Sequence, residues 1–112
     1  LAVDDDPLVL LNTVAILEDL GHTVFEAGSG SRALEILERE PRIDLVVTDQ
    51  AMPNMTGVEL AENIRAQRPE MPIIMVTGYA ELPANAPEGL QRLSKPFRQQ
   101  DLEDTIRMMQ QR

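Results

Sequence analysis

The amino-acid sequence predicts a doubly wound α/β domain: a five-stranded parallel sheet with helices on both faces. Three observations carry that reading. Short apolar runs alternate with helix-spaced segments along the whole chain, two of those runs (Leu45-Val46-Val47 and Ile73 to Val76) are apolar on both alternating faces, and acidic, hydroxyl and ammonium side chains recur where the runs end. A strand that is apolar on both faces is one covered by helices on each side. Repeated βα units close into a parallel sheet through right-handed crossovers, and ligands of such sheets sit beyond the carboxyl ends of the strands.

Leu1 to Val3 is the first strand, stopped by Asp4-Asp5-Asp6-Pro7, which also starts a helix. From Leu8 to Leu20 the residues Leu10, Leu11, Val14 and Leu17 recur at helical spacing, with Pro7 suited to the first turn and Gly21 to the C-terminal cap. His22 to Glu26, containing Val24 and Phe25, reads as the second strand. Gly28-Ser29-Gly30-Ser31 then offers loop and N-cap chemistry for a helix through Ala33, Leu34 and Leu37 that Pro41 terminates. Ile43 to Thr48 is the third strand, with Asp49 at its carboxyl end. After a loop containing Pro53, Thr56 and Glu59 match a capping box that opens a helix burying Leu60, Ala61 and Ile64.

Pro69 and Pro72 bracket the next turn, and the fourth strand, Ile73 to Val76, ends in Thr77. Pro83 and Pro87 interrupt the stretch from Ala80 to Gly89, so the helix expected there is short or absent. Leu90 to Ser94 is a weak fifth strand broken by Lys95-Pro96, and Leu102, Ile106 and Met109 mark a closing helix from about Gln99.

Composition narrows the function. At 112 residues the chain has room for one core, residues 1–112 being taken as one domain. A net charge of −9 argues against direct nucleic-acid binding, which needs a clustered positive face. With no cysteine and a single histidine, His22, any metal must be held by oxygen. No stretch reads as a leader or a membrane span, which makes a cytoplasmic domain without membrane insertion the expectation. The chain opens inside an apolar run with no initiator Met, as a fragment of a longer protein would.

Asp4, Asp5, Asp6, Asp49, Thr77 and Lys95 all fall at strand ends and are expected to converge on one edge. Carboxylates gathered there repel one another unless a cation lies between them, and an all-oxygen donor set favours Mg²⁺. Lys95 is the chain's single lysine; the other nine of its ten basic side chains are arginines. A compact ammonium suits one phosphoryl oxygen, and with the Thr77 hydroxyl and a metal it can surround a phosphoryl group. Asp49 is then the nucleophile, forming an acyl phosphate. Asp6, leading into Pro7, reads as a helix N-terminal charge rather than a ligand, and His22 has nothing reactive near it in sequence.

The motifs Val3-Asp4-Asp5-Asp6-Pro7, Asp44-Leu45-Val46-Val47-Thr48-Asp49, Met52-Pro53 with Gly57, Val76-Thr77-Gly78 and Lys95-Pro96-Phe97 resemble the response regulator receiver domain family over essentially the whole chain. The resemblance implies a flavodoxin-like sheet of order 2-1-3-4-5, phosphorylation at Asp49, and Mg²⁺ held directly by Asp5, Asp49 and the backbone carbonyl of Ala51, with Asp4 holding a water on the metal. It also implies a switch pair, Thr77 and Lys95, and a phosphohistidine donor on a sensor histidine kinase or histidine phosphotransfer domain. A domain of this kind is a regulatory phosphoacceptor rather than a turnover enzyme, losing its phosphoryl group slowly by itself. Because Ala51 and Gly78 are small, water is expected to reach the acyl phosphate unless Tyr79 covers it.

Two departures from the family pattern stand out. Arg92 occupies the usual aromatic switch position, and the interval from Thr77 to Lys95 is short. The Gly78-Tyr79-Ala80 run together with Arg92 resembles receivers attached to hybrid histidine kinases, with a DNA-binding output or a stand-alone receiver as the other architectures. Two rival functions remain at this level: a Mg²⁺-dependent phosphohydrolase using Asp4 as nucleophile and Asp6 as acid/base, and an interaction module that keeps the fold without phosphorylation.

Overall fold

The structure, a computed structural model, describes residues 1–77, 90–94 and 97–110. The expected short or absent helix between the fourth and fifth strands lies outside the described residues, as do Gly78, Tyr79, Lys95 and Pro96.

Among the described residues nine elements follow one another as β1 (Ala2–Val3), α1 (Pro7–Asp19), β2 (Glu26–Ala27), α2 (Gly30–Arg39), β3 (Val46–Asp49), α3 (Gly57–Gln67), β4 (Ile73–Thr77), β5 (Gln91–Ser94) and α4 (Gln99–Gln110). The sheet is parallel throughout, with strand order β2-β1-β3-β4-β5. Alternation along the strands divides the core into two layers. Val3, Val46, Ile73 and Met75 face α2 and α3, whereas Ala2, Val47, Ile74, Val76 and Leu93 face α1 and α4. Val46 and Ile73 to Met75 are almost fully buried, as central strands between two helical layers should be.

Local chemistry fixes where the helices begin and end. Asp6 is the N-cap of α1, its Oδ1 accepting from the N–H groups of Leu8 (2.9 Å) and Val9 (3.4 Å), so its carboxylate is committed to the helix as expected. The other end of α1 closes in a Schellman motif: Gly21, at φ +96°, donates to the Glu18 carbonyl while His22 N–H reaches Leu17 O. Ser29 caps α2, and the predicted Thr56/Glu59 capping box is present at α3. The Arg68 guanidinium, just beyond α3, donates to the carbonyls of Leu37 (2.7 Å), Glu40 (3.4 Å) and Ile43 (3.2 Å), fastening the end of α2 to the approach of β3.

Three sequence expectations need correction. The second strand is Glu26–Ala27 rather than His22 to Glu26, because its partner β1 is only two residues long and pairs Ala2 with Glu26 and Val3 with Ala27. Likewise β3 begins at Val46, where pairing with Ile73 starts, and not at Ile43. Leu11 is 65% exposed; α1 buries Leu10, Thr13, Val14 and Leu17 instead, and leaves Leu8 78% exposed as well.

Candidate functional site

The carboxyl ends of β1 and β3 lie side by side. Val3 is in register with Thr48, so Asp4, the next residue of one chain segment, comes beside Asp49, the next of the other. Both are buried, Asp4 at 6% exposure and Asp49 at 5%, while Asp5 is exposed. Carboxylate oxygens of Asp4, Asp5 and Asp49 all lie within 4.8 Å of one another. The N–H of Asp6 donates to Asp4 Oδ1 (2.9 Å) and so holds that carboxylate in place.

The hydroxyl comes from the next strand. Asp49 pairs with Val76 across β3 and β4, and Gln50 N–H continues the ladder to Val76 O (3.0 Å). Thr77 is therefore one residue beyond the partner of Asp49, at the very end of β4, with 6% exposure. Thr77 in turn pairs with Ser94, the residue before Lys95 in sequence. Strand alternation puts Arg92, in register with Met75, on the same sheet face as Thr77, and its side chain is exposed.

The loop after Asp49 is tightly built. Met52 N–H donates to Gln50 O (3.0 Å), a three-residue turn centred on the exposed Ala51, and Met55 N–H donates to Pro53 O (2.7 Å) around Asn54 at φ +68°. Gly57 starts α3 directly against this loop: a Cβ there would stand 2.5 Å from both the Asp49 carbonyl oxygen and Met75 Sδ. Gly30 plays a similar part at α2, where a Cβ would meet Met55 Sδ at 2.5 Å.

Three like charges this close repel, and a divalent cation among them relieves the repulsion. The donors are all oxygens, the chain has no cysteine, and its one histidine lies beyond the far end of α1. That donor set suits a hard cation, so the acidic cluster fits a metal. The structure thus brings together Asp4, Asp5 and Asp49, with Thr77 on the adjoining strand end, and keeps Asp6 on its helix. Nothing in the spacing marks Gln50, whose side-chain oxygen accepts from Val58 N–H at 2.8 Å; the only sequence signal is a polar residue between the strand that ends in Asp49 and a helix eight residues on.

The family model described as the response regulator receiver domain matches residues 1–107. Sensor kinase CckA of Brucella abortus (strain 2308) is 40% identical over 116 residues, an alignment covering 97% of this chain and 12% of that protein. The response regulator receiver protein CpdR of the same organism is 36% identical over 113 residues, covering 97% of this chain and 93% of that one. The chain thus spans about an eighth of the first relative and nearly all of the second. Among solved structures, a response regulator receiver domain protein from Clostridium thermocellum superposes with a TM-score of 0.87 at 34% identity, covering 96% of this chain and 89% of that chain. The chemotaxis protein CheY4 of Vibrio cholerae gives 0.85 at 30% identity over 96% of this chain and 93% of its own. Sequence, strand order and the acids at the strand ends agree: the chain belongs to the response regulator receiver domain family, the regulatory phosphoacceptor modules that take phosphoryl groups from sensor kinases in two-component signalling.

Proposed function

We propose that Asp49 is the phosphoacceptor of this receiver, that Mg²⁺ is the metal its acidic cluster holds, and that Thr77 and Lys95 read the modification. The observation that supports this best is the meeting of Asp4, Asp5 and Asp49 within 4.8 Å, with Thr77 buried on the strand that pairs with Asp49's own. A carboxylate oxygen of Asp49 attacks the phosphorus of a phosphohistidine on the donor. The P–N bond breaks, the histidine nitrogen leaves with the bonding pair, and an acyl phosphate results.

Asp5, Asp49 and the Ala51 carbonyl would hold the cation directly, with Asp4 holding a water on it. Mg²⁺ bound there would offset the negative charge of the transferring group. The Thr77 hydroxyl donates to one phosphoryl oxygen and the Lys95 ammonium to another, so both groups bind the modified state better than the unmodified one and bias the conformational equilibrium. With Arg92 where the family pattern has an aromatic ring, the readout runs through a charged side chain rather than a ring turning inward.

The phosphohydrolase reading loses its acid/base, because Asp6 caps α1. A sensor histidine kinase or a histidine phosphotransfer domain is the donor. Leu8 and Leu11, exposed one turn apart on α1 just beyond the acidic residues, offer it an apolar foothold beside the acceptor. Residues 1–112 are one receiver domain of a longer protein of the hybrid-kinase kind, working in the cytoplasm without contacting nucleic acid. Among the described residues no helix is long and apolar enough to cross a membrane.

The test is Mg²⁺-dependent labelling with acetyl phosphate, followed by intact mass. One phosphoryl group on the wild-type chain and none on Asp49→Asn supports the proposal. Undiminished labelling of Asp49→Asn, or labelling indifferent to chelation of Mg²⁺, overturns it.

A further inference from the structure

We infer that Gln50 is a positioning residue for the phosphoacceptor site: its side-chain amide ties the first turn of α3 to the end of β3 and thereby sets the geometry in which Asp49 and Ala51 meet a divalent cation. The inference rests on Asp49 being the acceptor.

An α-helix begins with N–H groups that have no partner within the helix. In α3 the Thr56 hydroxyl takes the N–H of Glu59 (3.2 Å), which leaves those of Gly57 and Val58. Gln50 takes both. Its backbone carbonyl accepts from Gly57 N–H (3.1 Å) and its side-chain Oε1 from Val58 N–H (2.8 Å). The same carbonyl accepts from Met52 N–H (3.0 Å), and Gln50 N–H donates to Val76 O (3.0 Å). One residue, bonded covalently to Asp49, therefore joins β4, α3 and the turn centred on Ala51.

The backbone part of this arrangement is open to any residue, but the bond to Val58 needs an oxygen at the end of a two-methylene side chain. That bond matters because α3 starts in direct contact with the acceptor. A Cβ at Gly57 would stand 2.9 Å from Gln50 Cα and 2.5 Å from Asp49 O, so the helix start and the acceptor backbone cannot shift independently. With its carbonyl engaged by two N–H groups, Gln50 presents the neighbouring Ala51 at the apex of the turn, where the carbonyl expected to bind the cation resides. Partners that orient metal ligands from behind are worth about ten- to a hundredfold in metal affinity.

The experiment compares the wild-type chain with Gln50→Met, which keeps the length but has no acceptor, and Gln50→Glu, which restores one. Gln50→Asn, a methylene short of Val58, is the milder probe should Gln50→Met fail to fold. Mg²⁺ affinity is measured by calorimetry, and protection of the Val58 amide by hydrogen exchange. Arg68→Ala serves as a variant destabilised away from the site. Gln50→Met and Gln50→Asn should bind Mg²⁺ about tenfold more weakly and lose Val58 protection, while Gln50→Glu regains both and Arg68→Ala keeps wild-type affinity. Unchanged Mg²⁺ affinity in Gln50→Met or Gln50→Asn, no rescue by Gln50→Glu, or equal weakening in Arg68→Ala would each overturn the role of Gln50. Absence of phosphoryl label on wild-type Asp49 is a separate result that sinks the acceptor reading, since the binding and exchange measurements do not depend on it.

Discussion

Gly57 packs so closely on Asp49 that a methyl group at Gly57 would stand 2.5 Å from the Asp49 carbonyl oxygen. The opposing wall is Met75 Sδ at the same distance, so an added side chain can be relieved only by moving the backbone at Asp49 or repacking the core. Gly57→Ala is expected to cost about 1–3 kcal/mol of stability, an overpacking penalty, and to slow labelling of Asp49 by acetyl phosphate. Denaturant unfolding with a parallel labelling assay checks both; a fully stable, fully active variant would show that the contact is loose.

The acidic residues divide their work. If Asp5 is a direct ligand as proposed, Asp5→Asn should weaken Mg²⁺ binding by more than the Asp6→Asn change at the helix cap, which mainly lowers the stability of α1 by about 0.5–2 kcal/mol. Calorimetric titration with Mg²⁺ and thermal unfolding separate the two effects. The opposite ranking would relocate the metal.

Transfer from a kinase and transfer from a small molecule should part company at α1. Leu8→Asp and Leu11→Asp change residues that are 78% and 65% exposed, so the fold tolerates them. Phosphotransfer from a phosphohistidine protein is expected to fall by about tenfold or more, the size of a lost apolar contact in an interface. Labelling by acetyl phosphate should be unchanged. Equal loss with both donors would mean that these leucines serve the fold and not the partner.

On the proposed roles of Thr77 and Lys95 in reading the modified state, Thr77→Ala and Lys95→Ala should still accept phosphoryl at Asp49 but fail to pass the change on. The readout is the set of amide shifts in β4 and β5 on phosphorylation, large in the wild type and small in the variants. A wild-type response from Lys95→Ala would contradict its assignment.

Much of this architecture is legible in the residues themselves. The alternation of apolar runs with helical spacing yields the parallel sheet, and the capping residues Asp6, Ser29 and Thr56 mark three helix starts, because each is a local chemical event. What escapes the sequence depends on distant partners. The boundaries of β2 are set by a two-residue β1: Val24 looks like a strand residue but lies before the ladder, whose first bond runs from Ala2 N–H to Phe25 O. Leu11 fits the helical period, yet α1 turns Thr13 inward and Leu11 outward, where packing against the sheet decides. Within the site, Asp4, Asp5, Asp49 and Thr77 are readable as polar strand ends. Gln50 is not, since its bond to α3 arises only when that helix folds back to place Val58 N–H at its side chain.

The central claim, that Asp49 carries the phosphoryl group, is tested most directly by trapping the product. Acyl phosphates are reduced by borohydride to the alcohol, so treating the Mg²⁺- and acetyl phosphate-exposed chain with borohydride and sequencing its peptides by mass marks the acceptor. Homoserine at position 49 alone is the predicted result. Homoserine at Asp4 or Asp5, or at no position in a chain that has taken up phosphoryl, would contradict it.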